Sequence, residues 1–254
     1  MHLVSILLLS ATLAASFTMP LQAKHREDVS DVRQYKLDNG MKILVKEDHR
    51  APVVVSQVWY KVGSSYEHNG ITGVSHVLEH MMFKGTKTLG PNEFSKIIAA
   101  NGGRENAFTG KDYTAYFQRL HKDRLEVSMR LEADRMQNLS LREEDFVKEV
   151  NVVKEERRLR TEDKPTSLTY EQFTAAAFQT SPYHHPVIGW MEDLESMQLE
   201  DLQAWYERWY SPSNATLVIV GDVNADQVYR MAKKHFGPIP ASKIKPLKPQ
   251  RETK

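Results

Sequence analysis

The residues best suited to chemistry in this sequence are two histidines and a glutamate within five positions, His76, Glu79 and His80. On an α-helix, histidines four positions apart lie one turn apart on the same face, and Glu79 lies on the edge of that face. The opposite side is predicted to be apolar and to anchor the helix, through Val74, Val77, Leu78, Met81 and Met82. The pattern predicts a Zn²⁺ site with its own general base, although a solvated helix face would carry the same residues.

A catalytic zinc site usually has three protein ligands, so the prediction depends on a third ligand elsewhere in the chain. Glu149 and Glu156 lie two turns apart on a second predicted helix, over 144–160. Both fall inside an apolar arc formed by Phe146, Val150, Val152, Val153 and Leu159. A buried carboxylate is costly unless it is bound to a metal or paired with a nearby Arg or Lys, and either arrangement would satisfy these two. We favour Glu156 as the third ligand and Glu149 as a carboxylate that orients a ligand histidine.

Motifs outside these two helices make the pattern more specific. They are the turn Asp38-Asn39-Gly40-Met41, Gly73, the run His80–Thr86 (HMMFKGT) and the run Gly103–Thr109 (GRENAFT). Together with the order H-x-x-E-H and a glutamate roughly 75 residues later, they resemble inverzincin peptidases. Over 33–240 the chain resembles the N-terminal catalytic domain of the pitrilysin, insulin-degrading enzyme and mitochondrial processing peptidase family.

The resemblance implies a zinc-dependent endopeptidase that hydrolyses peptides or unfolded polypeptide segments, with His76, His80 and Glu156 as zinc ligands. Glu79 would then take a proton from a water bound at the zinc and pass it to the leaving amine. The resemblance also implies that Asn106 and Ala107 contact the substrate, an extended peptide that adds to a strand edge by backbone hydrogen bonds. Alternatively, Asn106 only caps a turn.

A non-catalytic, zinc-stabilised subunit that partners an active peptidase chain is the alternative function. The presence of the complete motif favours the enzyme. A second histidine pair, His184 and His185, also invites a metal interpretation. Adjacent residues do not share a face of a regular element, and Pro182 and Pro186 predict a loop, so a structural role is favoured there.

The N-terminus and the composition restrict the location and the partners. Residues 1–23 contain no Lys, Arg, Asp or Glu and are largely apolar, and a charged run begins at Lys24. This pattern predicts a signal peptide over 1–23 and an exported, periplasmic protein without stable membrane insertion, with an uncleaved anchor as the alternative. The chain has no cysteine, which excludes disulfides and thiol nucleophiles. The 34 Lys+Arg and 33 Asp+Glu nearly balance, so no nucleic-acid partner is expected.

The order of predicted elements indicates an α+β fold, an antiparallel-rich sheet packed against helices. Strands are predicted around the turn at 38–40, over 53–62 at the centre of the sheet, and over 105–108, 114–120 and 215–220. Apart from the histidine helix, helices are predicted to begin near residues 91, 122, 143, 168, 199 and 225.

The domain assignment follows from these elements. Residues 24–240 are predicted to form one zinc metallopeptidase domain, and the proline- and lysine-rich stretch 241–254 to be a linker. The resemblance implies that a second domain of similar fold follows such a linker and closes over the site. Three possibilities stay open: a fragment, a chain completed by a C-terminal-domain-like partner or a homo-oligomer, or a chain that acts alone with low activity.

Overall fold

In the part of the chain that the structure describes, six strands form one mixed sheet in the order β1-β2-β6-β3-β5-β4. Their bounds are β1 Val32–Lys36, β2 Lys42–Glu47, β3 Val53–Tyr60, β4 Arg104–Thr109, β5 Thr114–His121 and β6 Ala215–Gly221. Neighbouring strands are antiparallel except for β2 and β6, which are parallel. The predicted α+β class with an antiparallel-rich sheet is therefore confirmed, and β4 lies at one edge of the sheet.

This computed structural model describes residues 31–245, 247–248 and 252. The predicted signal peptide lies outside these residues, as does part of the predicted linker. The α-helices are α1 Val74–Met81, α2 Glu93–Ala100, α3 Leu125–Asn138, α4 Glu143–Arg157, α5 Pro165–Ala177, α6 Met191–Ser196, α7 Leu199–Trp209 and α8 Ala225–Phe236. The short helix α6 was not predicted. In the described part of the chain, no helix is long and apolar enough to cross a membrane.

The core lies between one face of the sheet and the helices. Every second residue of β3 is buried, which is the alternation expected for a strand with one face against a core. In register with Val58 of β3 are Tyr116 of β5 and Leu217 of β6, both fully buried. Helix α3 packs against β3, and α8 packs against β2. Burial of each large apolar side chain contributes about 1.5–3 kcal/mol to the stability of the fold. The core layer therefore fixes the sheet that includes β4.

Helix α1 is held by its apolar side, as the periodicity predicted. Val74, Val77, Leu78 and Met81 are buried, and α1 packs against α4, α7 and β4. Its other side, which carries the two histidines, is only partly covered. Because the apolar side is buried and the helix packs against three neighbours, its polar residues are held in one defined direction.

The predicted apolar arc of α4 is wrong at two positions. Phe146, Val150 and Val153 are buried, but Val152 and Leu159 are 47% and 63% exposed. The buried face is narrower than predicted, and the α-helix ends at residue 157. A π-helical turn over Arg158–Glu162 follows, and its wider winding changes the direction in which later side chains point. Leu159 therefore does not continue the buried face.

Candidate metal centre

Helices α1 and α4 bring together His76, His80 and Glu156, which we call the metal triad. One ligand atom from each residue lies within 4.8 Å of the others, and no other such group of three exists among the residues described. Both imidazoles approach the same carboxylate oxygen, Oε2 of Glu156, at 3.9 Å from His76 Nε2 and 3.5 Å from His80 Nε2. This spacing suits an ion whose bonds to nitrogen and oxygen are about 2.0–2.2 Å long.

His76 is in the protonation state that a metal ligand requires. Burial, followed by the nearby charges of His80 and Arg160, lowers the pKa of His76 to about 3, so the imidazole is neutral at neutral pH. Its Nδ1 atom is buried and has no hydrogen-bond partner in the described part of the chain. A metal binds the neutral form of histidine, so no proton has to leave His76 before it can coordinate.

His80 is oriented from behind by Glu149. Oε2 of Glu149 lies 3.1 Å from His80 Nδ1, and Oε1 lies 2.7 Å from Lys84 Nζ. Burial raises the pKa of Glu149, but the hydrogen bonds from His80 and Lys84 outweigh burial and hold that pKa below its usual value. A carboxylate that accepts from Nδ1–H leaves Nε2 with its lone pair toward the triad. Sequence reasoning missed Lys84, although its position four residues after His80 is a usable signal.

The carboxylate of Glu156 has two different partners. While Oε2 faces the histidines, Oε1 lies 2.5 Å from Arg160 Nη1. The two alternatives left open by the sequence, a metal ligand or a salt bridge, are therefore compatible in one residue. Arg160 reaches back from the π-helical turn, and its side chain is 71% exposed.

Glu79 lies beside the triad but outside it. Its Oε2 accepts a hydrogen bond from Thr109 Oγ1 at 2.5 Å. Burial raises the pKa of Glu79, and the Thr109 hydrogen bond opposes this rise. A carboxylate with a raised pKa gives up its proton less readily than an exposed one, which suits a group that must both accept and donate protons. Sequence reasoning did not single out Thr109.

A cleft of about 1030 Å³ opens in front of these residues. Its walls are β4, helix α5 and the loop 184–188, and both Asn106 and Ala107 line it. Asn106 lies within β4 and not in a turn, and its Oδ1 accepts from the amide of Ala107 at 2.9 Å. The pairing found for β4 is with β5, so its other edge borders the cleft.

Arg157, next to Glu156 in sequence, fixes two walls of this cleft. Its guanidinium makes a bidentate pair with Glu171 of α5, at 2.8 and 2.9 Å, and donates to the carbonyl of Gly189 at 3.0 Å. The Arg157 side chain is only 6% exposed. A bidentate pair between buried groups fixes both distance and orientation. Helix α5 and the loop before α6 are therefore held relative to the ligand-bearing end of α4.

The second histidine pair lies in the loop wall. The His184 and His185 rings are 4.1 Å apart, and His185 Nε2 lies 3.1 Å from Asn69 Oδ1. Lys111 Nζ donates to the carbonyls of Tyr183 and His185, at 2.7 and 2.9 Å. This pair belongs to no group of three ligand side chains within the described residues. The contacts agree with the structural role that the prolines favoured.

The first turn of α1 is capped from a distance. Its N-cap residue, Gly73, has φ +88° and carries no side chain that could cap the helix. Instead, Glu67 accepts hydrogen bonds from the amides of Gly73 and Ser75, at 2.8 and 2.9 Å. A Cβ at position 73 would lie 2.8 Å from the carbonyl oxygen of Ile188, so only glycine fits. Burial raises the pKa of Glu67 to about 7.

Comparison with known proteins connects this geometry to a family. Residues 42–189 match the family model "Insulinase (Peptidase family M16)", and residues 196–254 match "Peptidase M16 inactive domain". The zinc protease PqqE of Helicobacter pylori is 40% identical over 201 residues, which are 79% of this chain and 45% of that protein. An uncharacterized zinc protease of Bacillus subtilis, YmxG, is 30% identical over 206 residues, 81% of this chain and 50% of the relative.

Solved structures agree with these matches. A protease from Helicobacter pylori superposes with a TM-score of 0.83 at 37% identity, over 87% of this chain and 53% of that one. The first half of the periplasmic protease PqqL from Escherichia coli gives a TM-score of 0.80 at 26% identity, over 88% of this chain and 49% of that one.

The fold is thus that of the M16 proteases, and the metal triad is a candidate metal centre within it. The chain belongs to the insulinase family, peptidase family M16. This membership confirms the resemblance inferred from the motifs. The chain spans about half the length of the curated relatives it matches.

Proposed function

We propose that this chain is a zinc-dependent endopeptidase domain acting on peptides or unfolded polypeptide segments. The observation that carries the proposal is the convergence of His76, His80 and Glu156, with Glu79 beside them but outside the ligand group. The relatives named zinc proteases support the same conclusion. A structural zinc site is closed by four protein ligands, whereas three ligands beside an open cleft suit catalysis.

In this proposal the metal triad holds one Zn²⁺, and Glu149 and Lys84 keep His80 in place. The donor set of two imidazoles and one carboxylate is typical of catalytic zinc. When bound, zinc would lower the pKa of a coordinated water and polarise the scissile carbonyl.

Glu79 is proposed as the general acid–base. It accepts the proton of the attacking water and donates a proton to the leaving amine. Its position on α1 between the two proposed ligands supports this role, and its bond to Thr109 leaves the second oxygen without a protein partner among the described residues. General acid–base catalysis of this kind contributes roughly 10²–10⁴-fold to the rate.

The substrate is proposed to bind as an added strand. The free edge of β4 borders the cleft, and backbone groups of an extended peptide can pair with it near Asn106 and Ala107. Strand addition requires an extended segment, so unfolded polypeptide is favoured over compact protein. Glu79 lies at the Thr109 end of the same strand, and the metal triad lines the same cleft.

We also propose the larger organisation predicted from the sequence. Residues 1–23 would direct export, and the PqqL relative is described as periplasmic. Residues 24–240 would form the catalytic domain, and the stretch from 241 would lead toward a C-terminal-domain-like partner or a second copy. If that part supplies transition-state contacts, the isolated chain would turn over slowly, because loss of one oxyanion donor typically costs about 10²–10³-fold.

The test combines metal content with hydrolysis of an unstructured quenched peptide. The chain from Lys24 onward is compared with Glu79→Gln and Glu156→Gln, and Glu155→Gln serves as a control because Glu155 is exposed and lies one position away. We expect one zinc per chain in the wild type, zinc without hydrolysis in Glu79→Gln, and loss of both in Glu156→Gln. Undiminished hydrolysis by Glu79→Gln would contradict the proposed base, and absence of zinc from the wild type would contradict the site.

A further inference from the structure

Thr109 connects the edge strand of the cleft to the proposed general base. It is the last residue of β4, and its hydroxyl makes the only side-chain hydrogen bond to Glu79 among the described residues. Glu79 stands on a different element, α1, which packs against β4. A single side chain therefore links the strand that borders the cleft to the carboxylate that would handle the proton.

The backbone at Thr109 is fixed on one side. Thr109 pairs with Thr114 of β5, and the amide of Gly110 donates to the carbonyl of Tyr113 at 2.7 Å across the connecting turn. The amides of Ser64 and Ser65 donate to the carbonyls of Gly110 and Lys111, at 3.2 and 2.8 Å. The hairpin and the loop before α1 consequently fix the backbone that carries the Thr109 side chain.

We propose that Thr109 is a positioning residue that holds the carboxylate of Glu79 in its working orientation. This inference rests on the proposed function. A hydrogen bond to Oε2 restricts rotation of the carboxylate and leaves Oε1 for the attacking water. A carboxylate without this partner would sample several rotamers, and misplacement of a proton acceptor lowers the rate of the chemical step.

The same bond would couple substrate binding to base orientation. A peptide that adds to the free edge of β4 immobilises the strand that ends at Thr109. Because that residue holds Glu79, a bound peptide would also steady the base. The expected signature is a fall in kcat, not a rise in KM, when the hydroxyl is removed.

The test uses Thr109→Val, which keeps the shape and removes the donor, and Thr109→Ser, which keeps the donor. Thr114→Val is the matched control, since Thr114 is the cross-strand partner and its hydroxyl donates to the carbonyl of Val62 at 3.0 Å. With zinc bound, we expect Thr109→Val to lose roughly 10- to 100-fold in kcat, with KM within about threefold of wild type. Thr109→Ser should recover most of the loss, and all variants should keep one zinc.

A second measurement does not depend on turnover. In the metal-free protein with ¹³C-labelled glutamate, the carboxyl resonance absent from Glu79→Gln identifies Glu79. This resonance should shift in Thr109→Val and stay in place in Thr109→Ser and Thr114→Val. An unmoved resonance in Thr109→Val, or a Thr109→Ser variant as slow as Thr109→Val, would overturn the inference. A wild type that binds zinc but hydrolyses nothing would instead contradict the proposed function, and the resonance would still decide the role of Thr109.

Discussion

Two histidine pairs line the same cleft, but they stand in different kinds of structure. His76 and His80 lie one turn apart on α1, and both direct Nε2 toward one oxygen of Glu156. His184 and His185 are adjacent in a loop, where Lys111 and Asn69 hold them. Helical spacing gives the first pair a common direction, whereas neighbouring loop residues have none.

The difference shows that burial alone does not make a ligand pair. Burial lowers the pKa of His76 and also that of His185, so both pairs contain an imidazole that stays neutral at neutral pH. Among the described residues, the first pair alone lies within ion-pairing distance of carboxylates on a facing helix, Glu149 behind it and Glu156 in front. What distinguishes the candidate metal centre is thus the acidic partner that α4 supplies.

The strongest test of this contrast removes one histidine from each pair. We expect His80→Ala to weaken zinc binding by more than the roughly 10–100-fold typical of changes behind a ligand. His185→Ala should keep stoichiometric zinc, because His185 belongs to no group of three ligand side chains within the described residues. Competition with a chromogenic chelator measures both affinities. An equal loss in the two variants would show that the second pair also contributes to metal binding.

The next largest effect is on the pH dependence of stability and comes from Glu67, which caps the helix that carries the first histidine pair. A rise in pKa from 4.5 to about 7 corresponds to about 3 kcal/mol. Between these pH values the folded state binds more protons than the unfolded state. The free energy of unfolding therefore falls as pH rises from about 4.5 through 7, and Glu67 changes it little above pH 7. Urea unfolding of the metal-free chain at several pH values should show a smaller decline in Glu67→Gln. Parallel declines in the two proteins would refute this role.

A smaller loss of zinc affinity is expected for Glu149→Gln, because this change weakens the hydrogen bond that orients His80. An amide is a poorer acceptor from Nδ1–H and loses the ion pair with Lys84. Zinc affinity should fall by about 10–100-fold while binding stays measurable. Glu155→Gln, on the exposed side of the same helix, is the control and should bind zinc as the wild type does. Unchanged affinity in Glu149→Gln would mean that packing alone orients His80.

The smallest effect is predicted for Lys111→Met, which removes the hydrogen bonds that hold the loop of the second histidine pair. Loss of its two bonds to backbone carbonyls should lower the free energy of unfolding by about 1 kcal/mol and leave zinc affinity unchanged. Lys87→Met is the matched control, since Lys87 is exposed. Reduced zinc affinity in Lys111→Met would indicate that the two histidine pairs are not independent.

The main features of the fold and much of the candidate site could be read from the sequence. Periodicity located α1 and its buried side, and residue types located the strands and the edge position of β4. The insertion of β6 between β2 and β3 could not be predicted, because strand order depends on contacts between distant segments. The exposure of Leu159 was missed because a helical wheel has no information on where the α-helix gives way to a π-helical turn. The exposure of Val152, inside the α-helix, was missed because a wheel does not show how wide a face the neighbouring elements cover.

By itself, the sequence determined the local arrangement of two candidate metal ligands and a candidate general base. His76, Glu79 and His80 share a helix, and local geometry fixes their relative directions whatever surrounds them. Helical periodicity also pointed to Glu156 and Glu149. Only the tertiary structure decided how these groups and Thr109 meet the histidine helix, because contacts between remote segments leave no periodic trace along the chain. Through packing of α4 and β4 against α1, Glu156 meets the histidines, Glu149 reaches His80 and Thr109 reaches Glu79.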